Sequence, residues 1–233
     1  MGIEFGREIC GNLNIAESRE WLVTNGIGGY ASGTVAGLMT RRYHGLLVAA
    51  LKPPLGRTLL LAKLDATAVY NDLTYSLDAN RWADGTVAPC GYKHIERFSL
   101  EGAIPLWRFA VADALLEKRV WMQQGANTTY IQYTLHRATQ PLQLTLKAMV
   151  NYRDYHSDTH NGWQMEIEAV ERGIGVTAYP GAVPFYLLSD GATASEAHNW
   201  YYNFDLAMER YRGLSDREDH LHAATFEVTL SPG

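Results

Sequence analysis

The densest group of side chains that could bind a polar ligand lies in one stretch, residues 151–162. Its candidate site residues are Arg153, Asp154, Tyr155 and His156. Guanidinium, phenol and imidazole groups can donate hydrogen bonds to a ligand, and an imidazole next to a carboxylate can move a proton. The stretch follows a strand pattern and reads as a loop whose length is typical of functional as well as connecting loops. We interpret it either as a binding loop or as a solvated connection that its own aspartates cap.

A second polar group separates two apolar strand patterns at residues 40–45. It comprises Arg41, Arg42, Tyr43 and His44. Adjacent arginines need carboxylate or backbone-carbonyl partners if they are buried. The group is therefore either a site anchored by such partners or an exposed turn.

Catalytic chemistry has weaker support. A glycoside hydrolase needs two opposed carboxylates, and only Asp154 stands beside aromatic residues and an arginine that could tune a carboxyl group; we do not identify it as a catalytic acid. Residues 26–31 fit the dinucleotide pattern G-x-G-x-x-A, but poor helix formers follow, so we predict a tight turn with glycines at positive φ. His156 and His160 lack the glutamate of a zinc motif. We therefore predict no catalytic residue, no cofactor and no metal site here.

Composition restricts the class of protein. The chain has 233 residues, a net charge of −5 and two separated cysteines, Cys10 and Cys90. An acidic chain without a basic run is a poor match for nucleic acid, and no apolar stretch reaches the length of a membrane span. The N-terminus lacks a signal-peptide pattern, and scattered cysteines fit a reducing compartment. The sequence predicts a cytoplasmic protein that contacts neither nucleic acid nor membrane.

The elements that must position these residues repeat with a period of two. Apolar and polar residues alternate at 131–135, 142–150 and 226–230, among other places. Such alternation is typical of antiparallel strands with one buried face. We predict an all-β fold, a large two-sheet antiparallel β-sandwich with little helix, forming one domain over residues 1–233. Only 200–211 has apolar residues at near-helical spacing, and it is either helical or irregular.

Taken together, these segments resemble the prokaryotic-type glycogen debranching enzymes, the amylo-α-1,6-glucosidase family. The first matching block is long and unusual in composition, and the resemblance extends over nearly the whole chain. The matching segments are 20–37, 40–48, 56–57, 151–156, 200–204, 209–213 and 218–219.

The resemblance implies a sandwich like the N-terminal domain of glucoamylase-type enzymes, which packs beside a toroid of paired helices carrying the catalytic carboxylates. This chain has too few helix patterns for a toroid, so we expect a C-terminal catalytic domain in the same polypeptide. The end of the sequence, just after a strand pattern, agrees with a longer protein.

The implied function is accessory, within an enzyme that hydrolyses α-1,6 branch linkages in glycogen or another α-glucan. The groups 41–44 and 153–156 would then lie at the substrate or at the domain interface. The alternatives are a stand-alone carbohydrate-binding module and a mutarotase-like sandwich enzyme that would use His156 with Asp154.

Overall fold

The structure is a computed structural model that describes residues 2–232. Two positions of the predicted domain, Met1 and Gly233, lie outside the described residues. The strands, in chain order, are β1 (Glu4–Gly6), β2 (Glu20–Thr24), β3 (Tyr30–Thr34), β4 (Gly45–Lys52), β5 (Leu55–Tyr70), β6 (Leu73–Ser76), β7 (Ala79–Arg81), β8 (Val87–Cys90), β9 (Ile95–Glu101), β10 (Ile104–Val111), β11 (Ala114–Met122), β12 (Thr129–Arg137), β13 (Leu142–Asp154), β14 (Glu166–Val170), β15 (Gly173–Thr177), β16 (Phe185–Leu188), β17 (Thr193–Asp205) and β18 (Arg217–Leu230). The helical elements are α1 (Arg7–Cys10), α2 (Leu13–Ala16), α3 (Ala207–Tyr211) and a 3-10 turn at Gly91–His94.

Two large antiparallel sheets form the layers of a sandwich. The eight-stranded sheet has the order β17-β18-β13-β5-β4-β3-β2, with β6 paired to β5, and the five-stranded sheet has the order β1-β9-β10-β11-β12. Trp21 of β2 meets Trp107 of β10 edge to face, with ring centroids 5.4 Å apart. The indole Nε1 of Trp107 donates to the Val35 carbonyl at 3.0 Å. The predicted all-β sandwich is confirmed, and it carries two small additional sheets, β14-β15-β16 and β7-β8.

Strand β13 illustrates where alternation holds and where it breaks. Leu142 and Leu144 are buried while Gln143 and Lys147 are exposed, as a half-buried strand requires. The register with β18 shifts at Ala148 and Met149, where Ala223 is the extra residue on β18, and Met149, which strict alternation places on the polar face, is also buried. A bulge adds one residue to a strand and re-aims the side chains beyond it.

The prediction of a helical or irregular segment at 200–211 was wrong for its first half. Residues 200–205 belong to β17, which pairs along its length with β18. Only Ala207–Tyr211 is helical, and Gly213 follows at φ +71°. Pairing with a neighbouring strand overrides a helical spacing of apolar residues, because cross-strand contacts decide the conformation.

Both cysteines are free thiols, Cys10 in the core and Cys90 partly exposed. No helix within residues 2–232 combines the length and the apolar character needed to cross a membrane.

Candidate functional site

The two polar groups predicted from the sequence meet where β13 ends. Arg42 donates from Nη1 to the His156 carbonyl at 2.6 Å, and Arg153 donates from Nη2 to the Arg42 carbonyl at 2.7 Å. The Tyr43 hydroxyl and His156 Nδ1 lie 3.1 Å apart. Side chains more than a hundred positions apart therefore form one site. We call it the polar cluster, and its members are Arg41, Arg42, Tyr43, His44, Arg153, Asp154, Tyr155 and His156.

A buried ion pair fixes the β13 side of the polar cluster. Arg153 donates two hydrogen bonds to the carboxylate of Glu218 on β18. One runs from Nε to Oε1, and the other runs from Nη2 to Oε2 at 2.9 Å. Burial raises the pKa of Glu218, and the charge of Arg153 acts against that rise. Arginine stays charged in proteins, so the pair holds its geometry in the ionised form. Arg153 is thus a buried support for the cluster, with no free face for a ligand.

A second buried carboxylate fixes the other side. Glu209 of α3 accepts from the Arg42 backbone N–H at 3.2 Å, and its Oε2 lies 3.5 Å from Arg42 Nε. The guanidinium also donates from Nη2 to the Ser215 carbonyl at 3.3 Å. The Thr40 carbonyl accepts from the Met208 N–H at 2.9 Å, which ties the same turn to the helix. The partly buried Arg42 therefore has one carboxylate and two backbone carbonyls as partners.

Arg41 and His44 share one acid, Glu20 at the start of β2. Arg41 Nε donates to Glu20 Oε1 at 2.6 Å, and His44 Nε2 lies 3.3 Å from the same oxygen. His44 Nδ1 accepts from the Thr40 backbone N–H, which assigns the ring proton to Nε2. Hydrogen bonding to His44, and secondly to Arg41, lowers the pKa of Glu20 to about 2. Glu20 is therefore an ionised acceptor at neutral pH and is unsuited to donate a proton.

The accessible face of the polar cluster is aromatic. The Tyr155 ring lies 3.9 Å from the His156 ring and 5.7 Å from the Tyr43 ring, measured between centroids. The guanidinium of Arg57 lies 5.4 Å from the centroid of the Tyr155 ring, in cation–π contact. His156 is exposed and both tyrosines are partly exposed. These rings form a small platform at the surface.

Asp154, the acid that the sequence placed in the most suggestive context, has a structural role. Its Oδ1 accepts from the His156 backbone N–H at 2.9 Å, and its side chain is exposed. The carboxylate therefore caps a turn, which is the second of the two interpretations offered for that stretch. The stretch is also shorter as a loop than predicted, because β13 continues through Asp154.

An open groove of about 640 Å³ lies beside the aromatic platform. Its volume is within the roughly 300–1,000 Å³ that ligand sites occupy. The side chains that line it include Glu20, Trp21, Tyr30, Arg41, Tyr43 and Arg57. The groove therefore joins the ionised Glu20–Arg41 pair to three aromatic residues, and Tyr43 belongs to both the groove and the polar cluster.

The glycine-rich segment after β2 forms one wall of this groove. Asn25 Oδ1 accepts from the backbone N–H groups of Ile27 and Gly29, at 3.1 and 2.9 Å, and closes a tight turn. Gly26 and Gly28 have φ values of +77° and +103°, so the predicted turn with glycines at positive φ is confirmed. A Cβ on Gly28 would lie 2.6 Å from the Pro54 carbonyl oxygen, and Arg57 Nε donates to the Gly28 carbonyl at 2.7 Å.

A family model described as glycogen debranching enzyme N terminal matches residues 19–233. The chain belongs to this family. No curated protein matches the chain. The debranching-enzyme resemblance seen in the sequence is thereby confirmed, and the match begins at the residue before Glu20, so it includes the groove, the polar cluster and both buried carboxylates that support it.

Several residues of this debranching-enzyme N-terminal site were missed by reasoning from sequence. Glu209 and Glu218 stand in segments that were quoted for the resemblance, but no local pattern marked them as partners of the arginines. Glu20, Tyr30 and Arg57 were missed as groove residues for the same reason. The need for carboxylate partners beside adjacent arginines was the only available signal, and it did not say which acids would supply them.

The carboxylates of the site are all engaged. Glu209 and Glu218 bind arginines, Glu20 binds Arg41 and His44, and Asp154 binds a backbone N–H. A glycosidase acid needs a carboxyl group free to hold and release a proton. The arrangement instead offers hydrogen-bond donors, an ionised acceptor and partly exposed aromatic rings.

Proposed function

We propose that this chain is the accessory N-terminal domain of a glycogen debranching enzyme. In the full-length protein it packs against a C-terminal catalytic domain, which hydrolyses the α-1,6 branch linkages of glycogen or a related α-glucan. The groove and the polar cluster lie at that interface and contribute to holding the glucan. The two free thiols agree with action in the reducing cytoplasm.

The proposal rests on one observation: Tyr43 lines the groove and also contacts the rings of Tyr155 and His156, so the groove and the aromatic platform are continuous. Tyrosine and tryptophan present flat apolar faces with a polar edge, which suit the C–H faces and hydroxyl groups of a sugar. The rings of Tyr43 and Tyr155 are adjacent and partly exposed, and they meet edge to face at an interplanar angle of 62°. The ionised Glu20 and its partner Arg41 supply an acceptor and donors for hydroxyl groups at fixed positions.

Rigidity of the support favours binding over a loose surface contact. Arg42 and Arg153 are held by buried carboxylates on α3 and β18, so the backbone that carries Tyr43 and Tyr155 is ordered before a ligand arrives. A pre-organised site loses less conformational entropy on binding. A backbone held in this way by two buried ion pairs also suits a surface against which a second domain docks.

Binding of glucan by this chain tests the first part of the proposal. We expect maltoheptaose to bind, measured by isothermal titration calorimetry. Tyr43→Ala and Tyr155→Ala should each weaken binding about fivefold to tenfold, because stacking on one ring contributes about 1–1.4 kcal/mol. Tyr186→Ala is the matched control, since this tyrosine is 56% exposed on β16, outside the groove. Equal affinity in all three variants would exclude the groove as a glucan site.

The full-length enzyme separates a substrate contact from a domain contact. A Tyr155→Ala, His156→Ala variant with a raised KM and an unchanged Tm indicates contact with the glucan. An unchanged KM with a lowered Tm indicates that the cluster holds the two domains together. Normal values of both would contradict either role.

Assay of this chain on glycogen tests the accessory assignment. We expect no release of glucose, since the carboxylates of the site are engaged by cations or by backbone. Release of glucose would overturn the assignment and favour a complete enzyme. The mutarotase-like alternative gains no support from Asp154, which bonds the backbone of His156 rather than its ring.

A further inference from the structure

A cavity of about 70 Å³ lies inside the sandwich, and His44 is the one member of the polar cluster that lines it. The eight-stranded sheet contributes Lys63 and Asp65, both on β5, to its lining. The five-stranded sheet contributes Lys118 of β11, and Tyr133 of β12 and Asp78 complete the polar lining. Four ionisable groups and a phenol therefore face one internal space between two sheets, where apolar packing is the rule.

The charges on the β5 side compensate each other. Lys63 Nζ lies 2.9 Å from Asp65 Oδ1 and donates to the Ala79 carbonyl at 2.8 Å. Asn80 accepts from Lys63 and donates from Nδ2 to Asp65 Oδ2 at 2.8 Å, which closes the triad. This side of the cavity thus carries one ammonium, one carboxylate and no net charge.

On the opposite side, Lys118 has no ion-pair partner of this kind among the described residues, although the carboxyl group of Asp78 also lines the cavity. Lys118 Nζ lies 5.5 Å from the Trp107 ring centroid and 5.9 Å from that of Tyr133, and across residues 2–232 no carboxylate forms an ion pair with it. The Tyr133 hydroxyl is buried and has no hydrogen-bond partner among the same residues. A buried hydroxyl left without a partner costs about 1–3 kcal/mol, so both groups point to an occupant that accepts hydrogen bonds.

We propose that the cavity binds a small monovalent inorganic anion, held between the ammonium of Lys118 and the hydroxyl of Tyr133. The space exceeds the roughly 10–15 Å³ that one water-sized particle requires, so a small anion fits. When Asp78 is neutral, the ammonium of Lys118 is the one charge of the described lining that is not compensated, because Lys63 is paired with Asp65, and this disfavours a cation. The proposal is independent of glucan binding, because no member of the polar cluster except His44 lines the cavity, and His44 is engaged by Thr40 and Glu20.

Acid conditions strengthen the binding. Burial, and secondly the charge of Asp65, raises the pKa of Asp78 to about 7. Burial, and secondly the charge of Lys63, lowers the pKa of Lys118 to about 8. Near pH 6 the acid is therefore largely neutral while the amine is charged, and near pH 9 the acid is charged while the amine is largely neutral.

Thermal unfolding in chloride tests the proposal, with gluconate as a matched salt whose anion is too large for the cavity. At pH 6.5 and constant ionic strength, replacing 300 mM sodium gluconate by sodium chloride should raise the Tm by about 2 °C or more, as for any ligand that binds only the folded state. The rise should be smaller at pH 9. It should disappear in Lys118→Met and fall by at least half in Tyr133→Phe, which removes only the hydroxyl.

Lys147→Met is the control for loss of a positive charge, because this lysine is exposed in the middle of β13. It should keep the full chloride effect. A crystal grown in sodium bromide gives a direct readout, with an anomalous peak expected in the cavity. Equal Tm values in chloride and gluconate, or a cavity that contains water alone in bromide, would overturn the proposal.

Discussion

Replacing Glu218 by glutamine tests whether the buried ion pair supports the polar cluster. The side chains of Arg153 and Glu218 are 4% and 0% exposed, and arginine keeps its charge in the folded protein. Glu218→Gln therefore leaves a buried guanidinium without a counter-charge. Removing one partner of such a pair costs about 3–5 kcal/mol of unfolding free energy. We expect about 3 kcal/mol, because the amide oxygen of glutamine still accepts one of the two bonds.

A double variant separates the charge effect from loss of packing. Burial raises the pKa of Glu218 in spite of Arg153, so the ionised carboxylate is itself costly in the core. Arg153→Met combined with Glu218→Leu removes both charges and should be more stable than the single variant. It also removes the bond to the Arg42 carbonyl. Amide hydrogen exchange in residues 40–45 should therefore accelerate even though global stability recovers.

Urea unfolding followed by tryptophan fluorescence measures these differences, and the m-value checks that the unfolded state is unchanged. The control is Asp190→Asn, since Arg172 and Asp190 form an ion pair whose side chains are 62% and 89% exposed. Exposed pairs contribute between zero and about 1 kcal/mol, so this variant should lose very little. If Glu218→Gln lost no more stability than Asp190→Asn, the argument for the buried support would fail.

Three further variants test the electrostatics and the backbone of the groove and cavity. The pKa of Glu20 is lowered to about 2, so the ionised carboxylate stabilises the fold above its ordinary pKa near 4.5, and this stabilisation is lost as the pH falls toward 2. In urea unfolding at a series of pH values, the difference in unfolding free energy between the wild type and Glu20→Gln should therefore shrink to zero over that range. The pKa of Asp78 is raised to about 7, so the ionised carboxylate lowers the free energy of unfolding increasingly between about pH 4 and pH 7. In gluconate buffer, the stability of Asp78→Asn relative to the wild type should therefore rise across that range and stay constant above it. Gly28→Ala should destabilise by about 1–3 kcal/mol through its φ of +103° and its contact with Pro54, and more than Gly102→Ala, whose Cβ meets open space at φ +62°.

Each of these expectations has a contrary result. A Glu20→Gln gap that stays constant between pH 5 and pH 2 would contradict the shared ion pair with Arg41 and His44. A stability of Asp78→Asn relative to the wild type that falls as the pH rises would contradict the destabilising ionisation of Asp78. Equal losses in Gly28→Ala and Gly102→Ala would show that the groove wall tolerates a side chain.

Much of the fold follows from local patterns. Alternation at 131–135 and 226–230 correctly predicted strands, because successive side chains of a strand point to opposite faces, one solvated and one buried. The failures have local physical reasons as well. The register shift opposite Ala223 of β18 accompanies four consecutive buried residues in β13, Ala148–Asn151, and the pairing of β17 with β18 makes residues 200–205 extended despite a helical spacing.

The composition of the site was only partly readable. Both polar groups were singled out because charged and aromatic residues interrupt apolar strands. The separate roles of their residues could not be predicted from the sequence. Arg153 is a buried support, Asp154 caps a turn, and Tyr155 presents an accessible ring. Burial decides these roles, and burial depends on which neighbouring strand covers each side chain.

The sequence by itself determined the antiparallel β architecture, the glycine turn and the family, since each depends on residues that are close in the chain. Tertiary structure alone decided that Arg42 meets His156, that Arg153 meets Glu218, and that Lys118 faces a cavity across from Lys63. Such contacts join residues about 50 to 115 positions apart. They depend on strand order and register across whole sheets, and register is fixed by the packing of every strand together, which no short segment encodes.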